Sequence, residues 1–551
     1  MTRARLIGAL ILASSLLIPI SACEKAPRAS EPSAERQPGI APRPRIWPDA
    51  EPGPYEVGYW VLHEYDTTRT FKPKFDYFGR PTEGTIARPV QISVWYPAPP
   101  VPGPIRMKLE DYYFTTATET DFAPPSSERL TILKNRLKNI WPIEFRIPPE
   151  GRAAIRERIE AAFQEEVFAA KGAAPEKGPF PLIVHMPGYN ASPAHHAYLF
   201  EVLASHGYVV AAVPNMGRFR REIDDEAASL EVQARDLEFA VARMGEFPFV
   251  DISRVGTTGM SWGGFSNVLF GGRDARVDAV LTLDGAITMP EELKLIEAVP
   301  GYSHEAFDKA YMQLLVAPSE AKFRPKDLRF FEALEYGDAH MVQFRGVDHD
   351  EFSCGYLRLR NLRETDAARI AYLEEFSRQV YRCALQFFDA YLKDDEAALR
   401  SLVEAAESGP EGGSGPIVLR RFKKAQPRPL TRGEFIDLIK SRGATEAAKI
   451  YADYCRLHPR NDLIISSSIG PVYMDAFESG DLKEALAICE LWRTGLPNDA
   501  GPLFSLARVH TAAGEADKAI DCYEKILAMG VREEHAATAR KRLEEVRAKL
   551  K

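Results

Sequence analysis

The chain has 551 residues, of which 45% are hydrophobic and 27% are charged, and its formal net charge is −8. This composition is typical of a soluble globular protein, and the length predicts two or three domains rather than one. The acidic balance argues against a nucleic-acid-binding protein, which normally carries a basic patch or stripe. We therefore expect no nucleic-acid partner.

The first 23 residues have the pattern of a secretory signal. Two arginines give a positive start, and the apolar run from 6 to 18 is too short to cross a bilayer as a helix. The tetrapeptide that follows, Ile-Ser-Ala-Cys at 20–23, resembles a bacterial lipobox. That resemblance implies that a lipidated Cys23 is the first residue of the mature protein. The alternative is a soluble secreted protein cut near Ala22.

A lipid on Cys23 would anchor the protein to a membrane outside the cytoplasm, as a lipoprotein of the bacterial cell envelope or periplasm. No later apolar stretch is long enough to span a bilayer, so we expect the lipid to be the only membrane attachment. Residues 24–54 contain eight prolines and no packable apolar face. They predict an extended tether.

From residue 55 onward, short apolar runs alternate with amphipathic stretches. Residues 90–96 show the strict period of two that is typical of a half-buried strand. The predicted strands are 58–65, 90–96, 181–185, 208–213, 251–258, 280–283, 313–317 and 341–344. The predicted helices are 130–137, 152–170, 195–206, 226–244, a stretch after residue 263, and 378–392. Strands that alternate with helices indicate a mostly parallel sheet covered on both faces.

Residues 101–178 interrupt this alternation and form a predicted helical insertion. Its segment 152–170 is rich in Ala, Glu and Arg, which favours a helix. The insertion fits a surface elaboration or a lid over a site equally well.

The end of the chain has a different pattern. Residues 401–430 contain Gly-Pro, Gly-Gly and Lys-Lys pieces and predict a linker. Beyond it, Gly480 and Gly514 are 34 residues apart, as are Ala485 and Ala519. A helix–turn–helix period of this length is similar to that of tetratricopeptide repeats, so residues 431–551 predict such a domain. The resemblance implies a protein partner or packing on the rest of the chain, and the alternative is a plain helical bundle.

A Gly-x-Ser-x-Gly pentapeptide lies at 259–263, with Ser261 at its centre. A strand-like approach precedes it and a helix-like stretch follows, which is the context that a nucleophile elbow requires. The two glycines fit this turn because a Cβ at either position would collide with it. We therefore predict that Ser261 is a catalytic nucleophile.

A serine nucleophile needs a histidine to take its proton and a carboxylate to orient that histidine. In the order that this elbow implies, the acid and then the histidine follow the serine, each after the carboxyl end of a strand. Asp284 directly follows the predicted strand 280–283 and is the predicted acid. Glu320, after strand 313–317, is the alternative, whereas Asp278 precedes its strand and would lie at the wrong end.

His349 follows the predicted strand 341–344 and is the predicted base, whereas His340 should lie at the opposite end of the sheet. An oxyanion hole needs two backbone N–H groups, which we assign to Trp262 and Tyr189. His185 is predicted to be structural. The adjacent residues His195 and His196 point in different directions on a helix and predict a solvent-facing pair rather than a metal site.

Six short motifs together resemble one group of enzymes. They are Ser-Val-Trp-Tyr-Pro at 93–97, His-Met-Pro-Gly-Tyr at 185–189, Leu-Ala-Ser-His-Gly-Tyr-Val-Val at 203–210, Gly-Met-Ser-Trp-Gly-Gly at 259–264, Leu-Asp-Gly at 283–285 and Gly-Val-Asp-His at 346–349. These motifs look like the dienelactone-hydrolase-like α/β-hydrolases, and most like the plasma-type platelet-activating-factor acetylhydrolase branch.

The resemblance implies an α/β-hydrolase fold, with a mostly parallel doubly wound sheet, over residues 55–400. It also favours Asp284 over Glu320, because that branch carries its acid on the strand after the nucleophile. The chain departs from the dienelactone hydrolases by having serine where they have cysteine. Its loop reads His-Met-Pro-Gly where they have His-Gly-x-Gly.

The predicted function is a serine carboxylic-ester hydrolase that acts through an acyl-enzyme on a small-molecule or lipid ester, with no metal and no organic cofactor. The bulky Trp262, Phe265 and Tyr189 near the elbow favour short acyl groups. Two alternatives stay open: a serine peptidase on the same fold, and a tetratricopeptide scaffold protein with a vestigial hydrolase domain.

Apart from Cys23, five cysteines lie at scattered spacings, and an odd number does not make a disulfide framework. A bridge between Cys354 and Cys383 would be compatible with an oxidising compartment.

Overall fold

The computed structural model describes residues 44–223, 226–300, 302–304, 307–320, 325–409, 414–458 and 461–550. The predicted signal at 1–23, the predicted lipidation site Cys23 and most of the predicted tether lie outside these residues. Within the described part, no helix is both long enough and apolar enough to cross a membrane.

Within the same residues, eleven strands form one sheet. They are β1 Glu56–Phe71, β2 Ile86–Ala98, β3 Arg106–Lys108, β4 Glu166–Ala170, β5 Phe180–Met186, β6 Val209–Ala212, β7 Val250–Met260, β8 Val277–Leu283, β9 Ala310–Val316, β10 Ala339–Phe344 and β11 Ile417–Lys423.

The strand order across the sheet is β11-β10-β9-β8-β7-β5-β6-β2-β1-β4-β3. The six central strands from β10 to β6 are parallel. β2 and β11 pair antiparallel on either side of them. The chain runs from β5 to β6 on one side and then crosses back past β5 to β7 on the other side, so the winding of the sheet reverses at β5. Ligands of open α/β sheets bind at the carboxyl ends of strands beside such a point.

The helices that flank the sheet are α1 Leu109–Phe114, α2 Ser127–Glu144, α3 Arg152–Phe163, α4 Ala197–Ser205, α5 Glu226–Met244, α6 Trp262–Arg273, α7 Pro290–Glu297, α8 Arg329–Ala333, α9 Cys354–Arg360, α10 Ala367–Leu392 and α11 Glu396–Glu407. They bury two apolar clusters, one on each face of the sheet. Successive side chains of β5 point to opposite faces of the sheet, so Ile183 belongs to one cluster, whereas Leu182 and Val184 belong to the other. The predicted mixed α/β architecture with a mostly parallel sheet is confirmed.

The insertion at 101–178 is part of the packed body. Its predicted helix 152–170 is wrong at the end, because the helix stops at Phe163 and residues Glu166–Ala170 form β4. β4 pairs with β1 and with β3, so these strands extend the sheet beyond β1. All but the first residue of β4 are buried. Pairing at the sheet edge and burial here outweigh the local preference for a helix.

The predicted tether and the predicted linker both contain segments that pack on the body. In the predicted tether, Ile46 is buried and the Trp47 ring lies 5.2 Å from the ring of Tyr198. In the predicted linker 401–430, α11 runs to Glu407 and β11 pairs with β10. Cys354 and Cys383 are both buried and are not joined by a disulfide.

The C-terminal region is helical, as predicted. Its helices are α12 Arg432–Arg442, α13 Ala444–Leu457, α14 Ser466–Glu478, α15 Leu482–Gly495, α16 Ala500–Ala512, α17 Ala516–Ala528 and α18 Glu533–Lys549. They bury a cluster of their own. Gly480 and Gly514 occupy matching turns after α14 and α16, with φ of 83° and 77°. The assignment to tetratricopeptide repeats stays a prediction.

Candidate active site

Ser261 lies between the end of β7 and the start of α6, near the middle of the sheet. Its backbone has φ 54° and ψ −122°, a conformation that residues with a side chain rarely adopt. The residue is 8% exposed, so little of its surface is in contact with solvent. A strained residue between a strand and a helix is the arrangement that the pentapeptide predicted.

The flanking glycines hold this turn together by close backbone approach. A Cβ on Gly259 would lie 2.0 Å from the Asn267 side-chain nitrogen. A Cβ on Gly263 would lie 2.0 Å from the carbonyl oxygen of Met186 at the end of β5. Both distances are far inside van der Waals contact, so neither position can carry a side chain without moving its neighbours.

The structure brings Ser261, His349 and Asp284 together. His349 begins a short turn after β10, and its Nε2 lies 2.8 Å from Ser261 Oγ. Its Nδ1 lies 2.6 Å from Asp284 Oδ2. When Nδ1–H donates to the carboxylate, the neutral ring presents Nε2 as an acceptor for the serine hydroxyl. The arrangement can therefore remove the serine proton.

Asp284 directly follows β8 and has a positive φ of 43°. Its Oδ1 accepts hydrogen bonds from Val316 N at 3.0 Å and from Lys326 Nζ at 2.7 Å. Burial would raise the pKa of Asp284, but the hydrogen bond from His349 and the charge of Lys326 together hold that pKa below its usual value. The carboxyl group is thus ionised in the folded protein.

The alternative acid, Glu320, has a different place. Its Oε2 accepts a hydrogen bond from Gly346 N at 2.5 Å, on the loop that leads to His349. The carboxylate that contacts the His349 ring is that of Asp284.

The two predicted oxyanion donors flank the serine. Trp262 opens α6, where backbone N–H groups have no acceptor within the helix. Tyr189 lies on the loop after β5, and a Cβ on the adjacent Gly188 would be 3.6 Å from Ser261 Cβ. The rings of Tyr189 and Trp262 meet edge to face, with centroids 5.7 Å apart. The loop and the start of the helix therefore face the same space.

A buried polar network connects that loop with α6. Gln233 of α5 accepts hydrogen bonds from Trp262 Nε1 and Ser266 Oγ, both at 2.8 Å. Its amide donates to Asn215 Oδ1 at 2.9 Å, and Asn215 Nδ2 donates to the Pro187 carbonyl at 3.0 Å. Sequence reasoning missed both Gln233, a polar residue of α5, and Asn215, in the loop after β6, because a single buried polar residue does not reveal its partner.

A cavity of about 510 Å³ opens onto Ser261. Its lining includes three aromatic side chains, Tyr189, Trp262 and Tyr356. It also includes three carboxylates, Glu144, Glu292 and Asp350, and no lysine or arginine among the described residues. Partial burial and the charge of Asp350 raise the pKa of Glu144. The cavity therefore favours a neutral or cationic ligand over an anionic one.

His185, His195 and His196 lie where β5 ends and α4 begins. The prediction that His195 and His196 form a solvent-facing pair is wrong: His196 is fully buried, 4.6 Å from the ring of His185, and His195 lines the cavity. The turn Pro193–His196 precedes α4 and directs both side chains inward. Burial lowers the pKa of His195 to about 4 and that of His185 to about 3, so both rings are neutral.

His340 lies near the start of β10, away from His349, and its Nε2 is 2.7 Å from the Tyr391 hydroxyl. Within the described residues, no group of three or more His, Cys, Asp or Glu side chains is arranged to hold a metal ion.

Comparisons with known proteins show a likeness in structure and none in sequence family. No protein-family model matches the chain, and no curated protein matches it. Among solved structures, a ferulic acid esterase from Streptomyces cinnamoneus matches with 20% identity and a TM-score of 0.40, over 62% of this chain and 91% of that chain.

Proposed function

We propose that this protein is a serine carboxylic-ester hydrolase. The observation that carries the proposal is the unbroken chain of contacts from Ser261 Oγ through the His349 ring to the buried Asp284 carboxylate, with 2.8 Å and 2.6 Å at the two ends. A hydroxyl, an imidazole and a carboxylate in this order are what acyl transfer by serine requires. We further propose an α/β-hydrolase fold of the dienelactone-hydrolase-like group, because the motifs around these three residues resemble those of that group.

In the proposed reaction, His349 Nε2 takes the proton as Ser261 Oγ attacks the ester carbonyl carbon. The N–H groups of Trp262 and Tyr189 stabilise the oxyanion of the tetrahedral intermediate. His349 then gives its proton to the departing alcohol, which leaves an acyl-serine. Water attacks this acyl group with His349 again as base, and release of the acid regenerates the serine. Asp284 stays ionised and holds the imidazole throughout.

The test is covalent labelling of the serine. A fluorophosphonate probe should label the wild-type protein and fail to label Ser261→Ala. Hydrolysis of p-nitrophenyl acetate should fall by about 10⁴-fold or more in Ser261→Ala and in His349→Ala. A folded wild-type protein that neither reacts with the probe nor cleaves esters would instead support a scaffold protein with a vestigial hydrolase domain. Cleavage of amide substrates at rates matching those of esters would support a peptidase.

We propose that the substrate carries a short acyl group. The Trp262 ring forms part of the cavity wall and packs edge to face on the buried Phe265 ring, with centroids 5.4 Å apart, so a bulky and well-supported side chain bounds this side of Ser261. In a series of p-nitrophenyl esters, kcat/KM should therefore fall once the acyl chain exceeds about four carbons. A preference for long chains would contradict this proposal.

The carboxylates that line the cavity predict selectivity against negatively charged substrates. An ester with a carboxylate on its acyl group should react more slowly than its neutral isostere, because Glu144, Glu292 and Asp350 repel it. Glu144 and Asp350 are exposed and therefore screened, so we expect a discrimination of about ten-fold at low salt that shrinks as salt is added.

We also propose that Cys23 is lipidated and that the protein faces the cell envelope outside the cytoplasm. Incorporation of a labelled fatty acid into the wild type, but not into Cys23→Ser, tests this. For the helices from α12 to α18, we propose a tetratricopeptide-like domain that binds a protein partner or packs on the catalytic domain.

A further inference from the structure

Lys326 is a buried cation in direct contact with the predicted catalytic acid. Its ammonium lies 2.7 Å from Asp284 Oδ1, on the other side of the carboxylate from His349. The exposed fractions of the two side chains are 2% for Lys326 and 1% for Asp284. The segment that carries the lysine is fixed by Asp327 N, which donates to the Thr288 carbonyl at 2.6 Å.

Burying an ammonium is unfavourable unless a charged partner compensates it. The carboxylate does not need the lysine as a hydrogen-bond donor, because Val316 N already donates to Oδ1 and His349 to Oδ2. Lys326 is also absent from the lining of the cavity, so a ligand there would not touch it. What the lysine adds to the site is therefore charge.

Several acidic groups line the cavity beside His349 or belong to its own turn. They are Glu144 of α2, Glu292 of α7, and Asp348, Asp350 and Glu351 of its own turn. Glu351 is paired with Arg360 and Arg369, at 3.4 Å and 3.7 Å. Among the described residues, Lys326 is the only lysine or arginine in an ion pair with Asp284.

Two cations would share one carboxylate whenever the His349 ring is protonated. An unpaired buried carboxylate would strongly favour the imidazolium, whereas a carboxylate already paired with an ammonium favours it less. We propose that Lys326 is a positioning residue whose charge offsets that of Asp284, so that the carboxylate orients the His349 ring without holding it as the imidazolium, and the ring can accept the serine proton. This inference rests on the proposed hydrolase function.

The test is the pH profile of kcat/KM for p-nitrophenyl acetate, from about pH 4 to about pH 9, in the full-length protein. Lys326→Met removes the charge and keeps the length of the side chain. The acid limb of its profile should move to higher pH by about one unit. At pH values below the limb, the ratio of wild-type to variant kcat/KM should therefore be about ten-fold larger than on the plateau. Lys326→Arg keeps the cation, and its acid limb should stay within about 0.3 units of the wild type.

If Lys326 had only a structural role, Lys326→Met would lower the plateau value of kcat/KM and leave the pH of the acid limb unchanged. That result would overturn the inference. If Lys326→Met yields no folded protein, Lys326→Gln carries the same test, because its amide still donates to Oδ1 without a charge. A wild-type protein without esterase activity would instead overturn the proposed function, so the two failures are distinguishable.

Discussion

At the scale of single residues, the site depends on backbone positions that tolerate no side chain. Gly263 lies where a Cβ would be 2.0 Å from the Met186 carbonyl and 2.4 Å from that of Pro187. These carbonyls belong to the end of β5 and to the loop that carries Tyr189. A change at Gly263 must therefore move the loop, the helix or both.

We expect Gly263→Ala to lose about 2 kcal/mol or more of unfolding free energy and most of the esterase activity. Gly272→Ala in the same helix is the matched control. Its Cβ would meet the Phe307 ring at an ordinary 3.5 Å, so this change should stabilise by about 0.5–1 kcal/mol. Urea unfolding of the two variants measures the contrast, and equal effects would argue against close backbone approach as the reason for Gly263.

The positions of Ser261, Asp284 and His349 could be predicted from the sequence, because parallel strands all end at one edge of the sheet and each residue follows such an end. Their roles stay a proposal. Lys326 and Gln233 could not be found in this way. Each acts through a partner far along the chain, and no local pattern reveals which buried polar groups will meet.

At the scale of elements, α4 is joined to the insertion through one buried carboxylate. Glu201 of α4 accepts hydrogen bonds from the Tyr112 hydroxyl and from Ala169 N, both at 2.8 Å. Its Oε2 is buried without a hydrogen-bond partner among the described residues. Burial raises the pKa of Glu201 from 4.5 to about 7, so the group is protonated when the folded protein is at mildly acidic pH.

Because the pKa of Glu201 is higher in the folded than in the unfolded state, its contribution to stability is complete below about pH 4.5 and is lost as pH rises through about 7. Glu201→Gln mimics the protonated form. We expect it to leave stability at about pH 4.5 unchanged and to raise it at about pH 8 by roughly 3 kcal/mol.

Urea unfolding at the two pH values measures this difference. Glu157→Gln on the exposed face of α3 is the control and should change stability at neither pH. An equal shift of Glu201→Gln at both values would show that Glu201 does not take up a proton on folding.

The central strands could be predicted because they are continuous buried apolar runs. β4 and β11 could not, since the strands that they pair with come from distant parts of the chain. Glu-Val-Phe-Ala-Ala at 166–170 continues a helix-forming stretch, and only its contacts with β1 and β3 make it extended. Likewise, Ile417–Lys423 lies among glycines and lysines that locally favour a linker.

At the scale of the whole molecule, the tail has its own apolar cluster, while β11 belongs to the sheet. The boundary between the two units therefore lies after β11, near Leu430. A chain ending after Leu430 should keep its esterase activity within about two-fold, because every residue of the site and every strand remains.

A chain ending after Ser408 provides the contrast. It loses β11, so it exposes the edge of β10 and should aggregate or unfold at lower temperature. Thermal unfolding and gel filtration of both truncated chains test the assignment. Loss of folding in the longer of the two would mean that the tail supports the hydrolase body.

The left-handed backbone of Ser261 has a practical consequence. A residue with a side chain holds this conformation at a cost of about 1–3 kcal/mol, which glycine does not incur. Ser261→Gly should thus be an inactive protein that melts at a higher temperature than the wild type, whereas Ser261→Ala keeps the strain. Both variants lack the hydroxyl that would cleave a bound ester, but only the glycine variant also loses the backbone strain at position 261. The glycine variant is therefore the better form for crystallography with an intact ester.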